Sequence, residues 1–418
     1  MSDQARVYRA RKVYHSEGRL LDNGAVACRG ERITVVAPWR EVGDTQAEVV
    51  DLGDVLLLPG LVNAHTHLRL THLKGAIAPT KDFVGWLAKI AWRIRFSRTK
   101  TAQNAVMAGA RELLEGGVTT AVEIDIDCLS AEMLRLSPLR VIFAHECIEF
   151  KPSRAKKTAS RLMDMVARLD TEPLRREHGI APHAPYSVSR ELWQSLAQEL
   201  KVQPTFLTVH VAESAEEVEM FARGRGKMLR RLRLLGFLAR DWRAPNCSPV
   251  AFLEETGILA TPGIAAHCGQ IDDADARRLA RWGWTVAFCP GTHEYFDRPR
   301  FPLERLRRAG VPVCVATDSA ASNPPDGGLS MMDEMRRLAS HFGDLATGDI
   351  VAAATSVPAQ AIGWGKAVGR LEAGFCADLS AWAPCCGGDR LDRAWFEEEP
   401  PTCTATIIGA QIVTRKAL

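Results

Sequence analysis

The stretch VNAHTHLRL, residues 62–70, carries two histidines, His65 and His67, one residue apart behind an apolar run. The run LLLPGLV, Leu56 to Val62, reads as a buried strand, and strand side chains alternate faces, so positions two apart point the same way. Two imidazoles on one face near a strand end can grip one metal ion. An apolar run with a polar tip recurs along the chain: His183 follows HGIAP, His210 follows PTFLTV, His267 follows GIAA and Asp318 follows VPVCVAT. Five of the 11 histidines fall at such tips, where chance would scatter them. Three neutral imidazoles and one carboxylate, His65, His67, His210 and Asp318, form a donor set suited to a borderline cation such as Zn²⁺. An ion held with one open position lowers the pKa of its water from about 15.7 to about 7. The chemistry in view is hydrolysis at neutral pH.

Glu213 lies three residues beyond His210, in HVAES. A carboxylate on the turn leaving that strand faces the substrate without touching the metal, and it reads as a proton shuttle; the plainer reading is an acid at a helix N-terminus. Glu216, Glu217 and Glu219 read as a solvated helical face. His267, in AAHCGQID, is placed to polarise the attacking water, against the alternative of a buried core histidine. His183, in APHAPYS, is a candidate substrate contact, against loop packing. Trp86 is a candidate cover for a planar ring, or core, and the stretch around it, Phe83 to Trp92, reads as a loop that sets specificity. The middle strands offer no lysine for a carbamate bridge, and Glu146 is a weak bridging candidate, so a single metal is expected. His72 and His145 read as structural.

The elements that must position these residues follow from periodicity. Eight apolar strand candidates run from LLLPGLVNAHTH to VPVCVATDSAASN. Amphipathic segments sit between most of them; AQNAVMAGARELLEGG, with Gly116-Gly117 as its stop, and LERLRRAG are examples. Eight β/α units predict a (β/α)₈ barrel over 59–365, with functional residues at the C-terminal strand ends. A GxGxxG loop after the first strand is absent, which weakens a dinucleotide-binding reading. Residues 1–58 and 366–418 read as β-rich, with hairpin signals at Asn23-Gly24 and Arg29-Gly30. The basic run from Gly224, within residues 223–243, reads as a solvated helix or flap beside the site, with recognition of an acidic substrate group as the alternative.

The chain has 418 residues, 46% hydrophobic and 25% charged, an ordinary globular composition. A net charge of +3 makes no case for nucleic acid or an anionic membrane as partner. The start, MSDQARVYRARKVYHSEG, lacks the apolar core of a signal peptide, and no stretch reaches the roughly 18 apolar residues of a spanning helix. Eleven cysteines without CxxC pairs predict reduced thiols and a cytoplasmic protein.

PGLVNAHTHL, APHAPYS, HVAES, AHCGQID, CPGTHEYF and ATDSAASN occur in an order that resembles the amidohydrolase superfamily. More closely, the chain resembles its metal-dependent deaminase and chlorohydrolase branch, which includes adenosylhomocysteine, guanine and aminodeoxyfutalosine deaminases. The resemblance spans nearly the full length, and the β-rich ends resemble the small β-sandwich those enzymes build from both termini. It implies one divalent ion, zinc or alternatively iron, on His65, His67, His210 and Asp318. It further implies acid–base roles for Glu213, His267 and Asp318, a substrate-facing His183, and a homo-oligomer. The implied reaction is hydrolytic deamination of an aminated N-heterocycle, such as a purine nucleoside derivative. Cyclic-amide ring opening or dechlorination at the same site is the alternative, and an inactive scaffold the remote one. His293 stands in CPGTH where close relatives carry a small amide in CPxSN, which alters the substrate pocket.

Overall fold

The computed structural model describes residues 5–15, 18–42, 46–238, 242–324 and 327–416. All eight sequence-predicted barrel strands form: β1 (Leu61–Thr66), β2 (Val118–Asp125), β3 (Arg140–Cys147), β4 (Arg176–Pro182), β5 (Phe206–Val211), β6 (Ile264–His267), β7 (Thr285–Phe288) and β8 (Val313–Val315). Each pairs in parallel with its sequence neighbour. The ring closes between its two ends. Thr66 bridges Asp318 in parallel, the Asp318 amide donates to the His65 carbonyl at 3.0 Å, and Asn63 Nδ2 donates to Thr317 Oγ1 at 2.8 Å.

Alternation along each strand divides its residues between two cores. Val62, Ala64, Val122, Ile124, Ile142 and Ala144 pack inside the barrel. Val141, Phe143, Leu207, Val209 and Val286 pack outward beneath the helices. This is the near-continuous apolar run of a parallel strand covered on both faces. The helix α1 (Phe83–Phe96) begins where Asp82 accepts from the Gly85 amide at 2.8 Å. The predicted helix before β2 is α2 (Thr99–Glu115), and Gly116-Gly117 ends it.

The chain termini build a second, mixed sheet of eight strands. It unites Ala5–Tyr14, Leu20–Arg29, Arg32–Pro38, Glu48–Asp51 and Leu56–Pro59 with Leu379–Ala383, Thr402–Ile408 and Gln411–Arg415. Tyr8 and Val26 share one core with Ala405 and Ile407 from the far part of the sheet, and the Tyr8 hydroxyl donates to the Ala410 carbonyl at 2.9 Å, so the sheet bends over itself as a sandwich does. Arg140, at the start of β3, joins the two bodies: its Nε and Nη2 donate to the two oxygens of Asp378, at 2.7 and 3.1 Å.

Three expectations change. LLLPGLV is not one strand: Leu56–Pro59 pairs with the terminal sheet, and β1 begins at Leu61. Gly60 sits at the crossing, where a Cβ would lie 2.2 Å from Thr119 Oγ1. Asn23-Gly24 is not a hairpin turn but lies inside Leu20–Arg29, with Gly24 opposite Ala10 and a Cβ excluded by Val13. Arg29-Gly30 does turn, pairing Arg29 with Arg32. Finally, the stretch Phe83 to Trp92, expected as a specificity loop, is helical.

Candidate metal centre and active site

The C-terminal strand ends bring the predicted donors to one place. His65 comes from β1, His67 is the first residue beyond it, His210 belongs to β5, His267 ends β6, and Asp318 follows β8. All five are buried. His67 Nε2 lies 3.2 Å from His65 Nε2 and 3.2 Å from His210 Nε2. Asp318 Oδ1 stands 3.4 Å from His67 Nε2 and 3.6 Å from His65 Nε2. Ligand atoms of His65, His67 and Asp318, and likewise of His65, His210 and His267, lie within 4.8 Å of one another. His267 thus adjoins the cluster as well as Glu213. The backbone is strained here: His267 and Asp318 take positive φ, 72° and 52°, a conformation costing on the order of 1–3 kcal/mol that tends to gather at functional sites.

The donors fit a cation. His210 Nδ1 faces the His183 carbonyl at 2.9 Å, and a carbonyl only accepts, so Nδ1 carries a proton and Nε2 is the nitrogen turned toward His67. Burial holds His65 below the ordinary histidine range, and His67 and His267 well below it, so these rings are neutral. The neutral imidazoles of His65 and His67, with nitrogens 3.2 Å apart, suit a positive charge between them. Burial opposes ionisation of Asp318, yet hydrogen bonding from His65 holds its carboxyl well below the usual range. The other oxygen, Oδ2, accepts from Thr292 Oγ1 at 2.8 Å and Ser322 Oγ at 3.1 Å.

Glu213 leaves β5 as predicted and is buried; its Oε1 lies 3.7 Å from His267 Nε2. His183 is half-buried, its ring 4.9 Å from His210 and its Nδ1 2.7 Å from Ser187 Oγ. Two other candidates stand apart from the cluster. Trp86 is buried on α1 among Phe83, Tyr295 and Phe296. His293 lies on the short helix α3 (Pro290–Tyr295), its Nε2 bonded to the Pro299 carbonyl and its ring against Phe288 and Phe301. Glu146 belongs to neither ligand group, and burial pushes its carboxyl up to about 7.

Glu217 corrects the expectation of a solvated face: it is fully buried, accepts from the Glu213 amide at 3.0 Å, and is pushed by burial up to about 8. The basic run forms a helix, Lys227–Leu234, and Lys227 pairs with Asp82 at the cap of α1 at 2.6 Å; residues 239–241 of that segment lie outside the described residues. Sequence reasoning missed Arg298, whose Nη2 donates to Glu213 Oε1 at 2.7 Å. It also missed the hydroxyls of Thr292 and Ser322, although both stand in quoted motifs, CPGTH and ATDSAASN.

A parallel barrel with imidazoles and a carboxylate converging at its C-terminal mouth defines the class: a metal-dependent barrel hydrolase. The chain belongs to the amidohydrolase family, which matches residues 56–413. It is 28% identical over 382 residues to the 5-methylthioadenosine/S-adenosylhomocysteine deaminase of Desulforudis audaxviator, covering 86% of this chain and 80% of the relative. Among solved structures it is similar to an adenosine deaminase from Xanthomonas campestris with bound zinc, with TM-score 0.82 and 24% identity over 98% of this chain and 93% of that one. It is also similar to the Helicobacter pylori aminofutalosine deaminase in complex with methylthio-coformycin, with TM-score 0.83 and 21% identity over 98% of this chain and all (100%) of that one.

Proposed function

We propose that this protein is a hydrolytic deaminase of an aminated N-heterocycle of the adenosine-derivative kind, working with one zinc ion. The observation that carries the reading is His67 Nε2, 3.2 Å from both His65 and His210 and 3.4 Å from Asp318 Oδ1, with Glu213 beside His267 at the same mouth. The deaminase relatives support the substrate class.

His65, His67, His210 and Asp318 would hold the ion, which when bound lowers the pKa of water to about 7. The net reaction exchanges a ring amino group for the oxygen of water and releases ammonia. Asp318 Oδ1 takes a proton from the water, while Thr292 and Ser322 keep Oδ2 occupied and the carboxylate fixed. Glu213 delivers a proton to the adjacent ring nitrogen, making the neighbouring carbon electrophilic, and recovers one from the added hydroxyl, while Asp318 passes the proton it took to the departing amino group. His267, between Glu213 and the cluster, orients the attacking water. His183 lies one ring beyond His210 and contacts the substrate.

A cytoplasmic setting accords with eleven unpaired cysteines. No described helix is long and apolar enough to cross a membrane.

Ammonia release from 5′-methylthioadenosine, S-adenosylhomocysteine, adenosine, guanine and pterins tests the reading on zinc-loaded protein. Turnover of at least one compound is expected, with Glu213→Gln keeping its metal and losing about 10²- to 10⁴-fold in kcat. Zinc-replete protein silent on the whole panel would overturn it.

A further inference from the structure

We infer that Arg298 is the positioning residue for Glu213, holding one carboxylate oxygen so that the other meets the substrate; this rests on the deaminase reading above. Arg298 Nη2 donates to Glu213 Oε1 at 2.7 Å, and the two side chains are only 6% and 8% exposed. His267 Nε2 approaches the same oxygen, at 3.7 Å. Among the described residues no hydrogen bond reaches Glu213 Oε2. The carboxylate is thus tied on one side and free on the other, as an acid–base group must be to keep a fixed bearing.

Arg298 is itself fixed. Its guanidinium lies 4.6 Å from the centre of the Phe296 ring and 5.4 Å from that of Phe83, and those rings meet edge-to-face at 5.4 Å. Trp86 backs Phe296 at 5.2 Å. The Arg298 amide donates to the His293 carbonyl at 3.1 Å, and the His293 ring ties back to the carbonyl of Pro299, the next residue. Trp86 and His293, which belong to neither ligand group, therefore bracket the one cation that touches Glu213 among the described residues. A planar guanidinium between two aromatic rings is a device lysine reproduces only in charge.

The test pairs crystallography with kinetics on the zinc-loaded holoenzyme and Arg298→Met, with Arg298→Gln taking its place if the first does not fold. The expected result is a Glu213 side chain displaced in the variant structure, kcat down at least 30-fold with KM changed less than threefold, unchanged zinc content, and partial recovery of kcat in Arg298→Lys. Glu213 left in its wild-type position would overturn the inference, and so would an unchanged kcat or a loss confined to KM. If the wild type itself releases no ammonia, the deaminase reading falls, and the position of Glu213 in the variant crystal alone decides the role of Arg298.

Discussion

Thr292 donates its hydroxyl to Asp318 Oδ2 across 2.8 Å, while the other oxygen of the same carboxylate faces His65 and His67. The two oxygens are divided between a polar support and the ligand cluster. Partners that orient a ligand from behind are commonly worth about 10- to 100-fold in metal affinity. Thr292→Val, which keeps shape and removes the hydroxyl, should weaken zinc binding by about that factor. Competition with a chromogenic chelator measures it; affinity equal to wild type would show that the hydroxyl does not tune the ligand.

His65 is fully buried at the centre of the cluster, adjoining both ligand groups. His65→Ala should purify without a stoichiometric ion, and chelation of the wild type should abolish ammonia release, restored by added zinc. Elemental analysis reads the outcome. A full metal complement in the variant would remove His65 from the ligand set.

The Arg140–Asp378 pair is buried on both sides and joins barrel to terminal sheet. Asp378 also accepts from the Gly409 amide at 2.9 Å. Removing Asp378 leaves the buried Arg140 charge only the more distant Glu31, at 3.6 Å, and breaking a buried pair in this way costs about 3–5 kcal/mol. Asp378→Ala should lower the denaturant midpoint accordingly. Replacing both residues with apolar ones should cost less, and equal losses would argue against the charge explanation.

Burial, aided by neighbouring His178, lowers His145 to about 4. Between the ordinary histidine value, near 6.5, and that lower one, the unfolded chain binds a proton that the folded chain refuses. Stability from this group is therefore complete above about pH 6.5 and lost as pH falls through the window, by about 2 kcal/mol at pH 5. Asp125, 3.7 Å away and pushed up by burial to about 6, works in the opposite sense. His145→Gln should show a smaller fall in Tm between pH 7.5 and pH 5 than wild type. Identical falls would assign the acid sensitivity elsewhere.

Most of the barrel was legible because parallel strands read as short apolar runs, and the polar residue at each run's end is a neighbour of that run in sequence. His65, His210, His267 and Asp318 were picked out this way as candidates, and the closed ring sets their side chains together. Boundaries were less legible where one apolar run serves two sheets: nothing local in LLLPGLV says that Leu56–Pro59 will pair with Leu379–Ala383 while Leu61 pairs with Val118. Glu217 was misread because a helical face counts as solvated until something packs on it.

The sequence by itself determined the chemical types at the strand tips, and hence which groups could serve as donors, because alternation and apolar runs are properties of adjacent residues. Only the tertiary structure decided which of those groups are held and by what. Arg298 reaches Glu213 across 85 positions, and Thr292 reaches Asp318 across 26. Such contacts depend on how a closed ring of strands brings its loops over one mouth, and no local period encodes that distance.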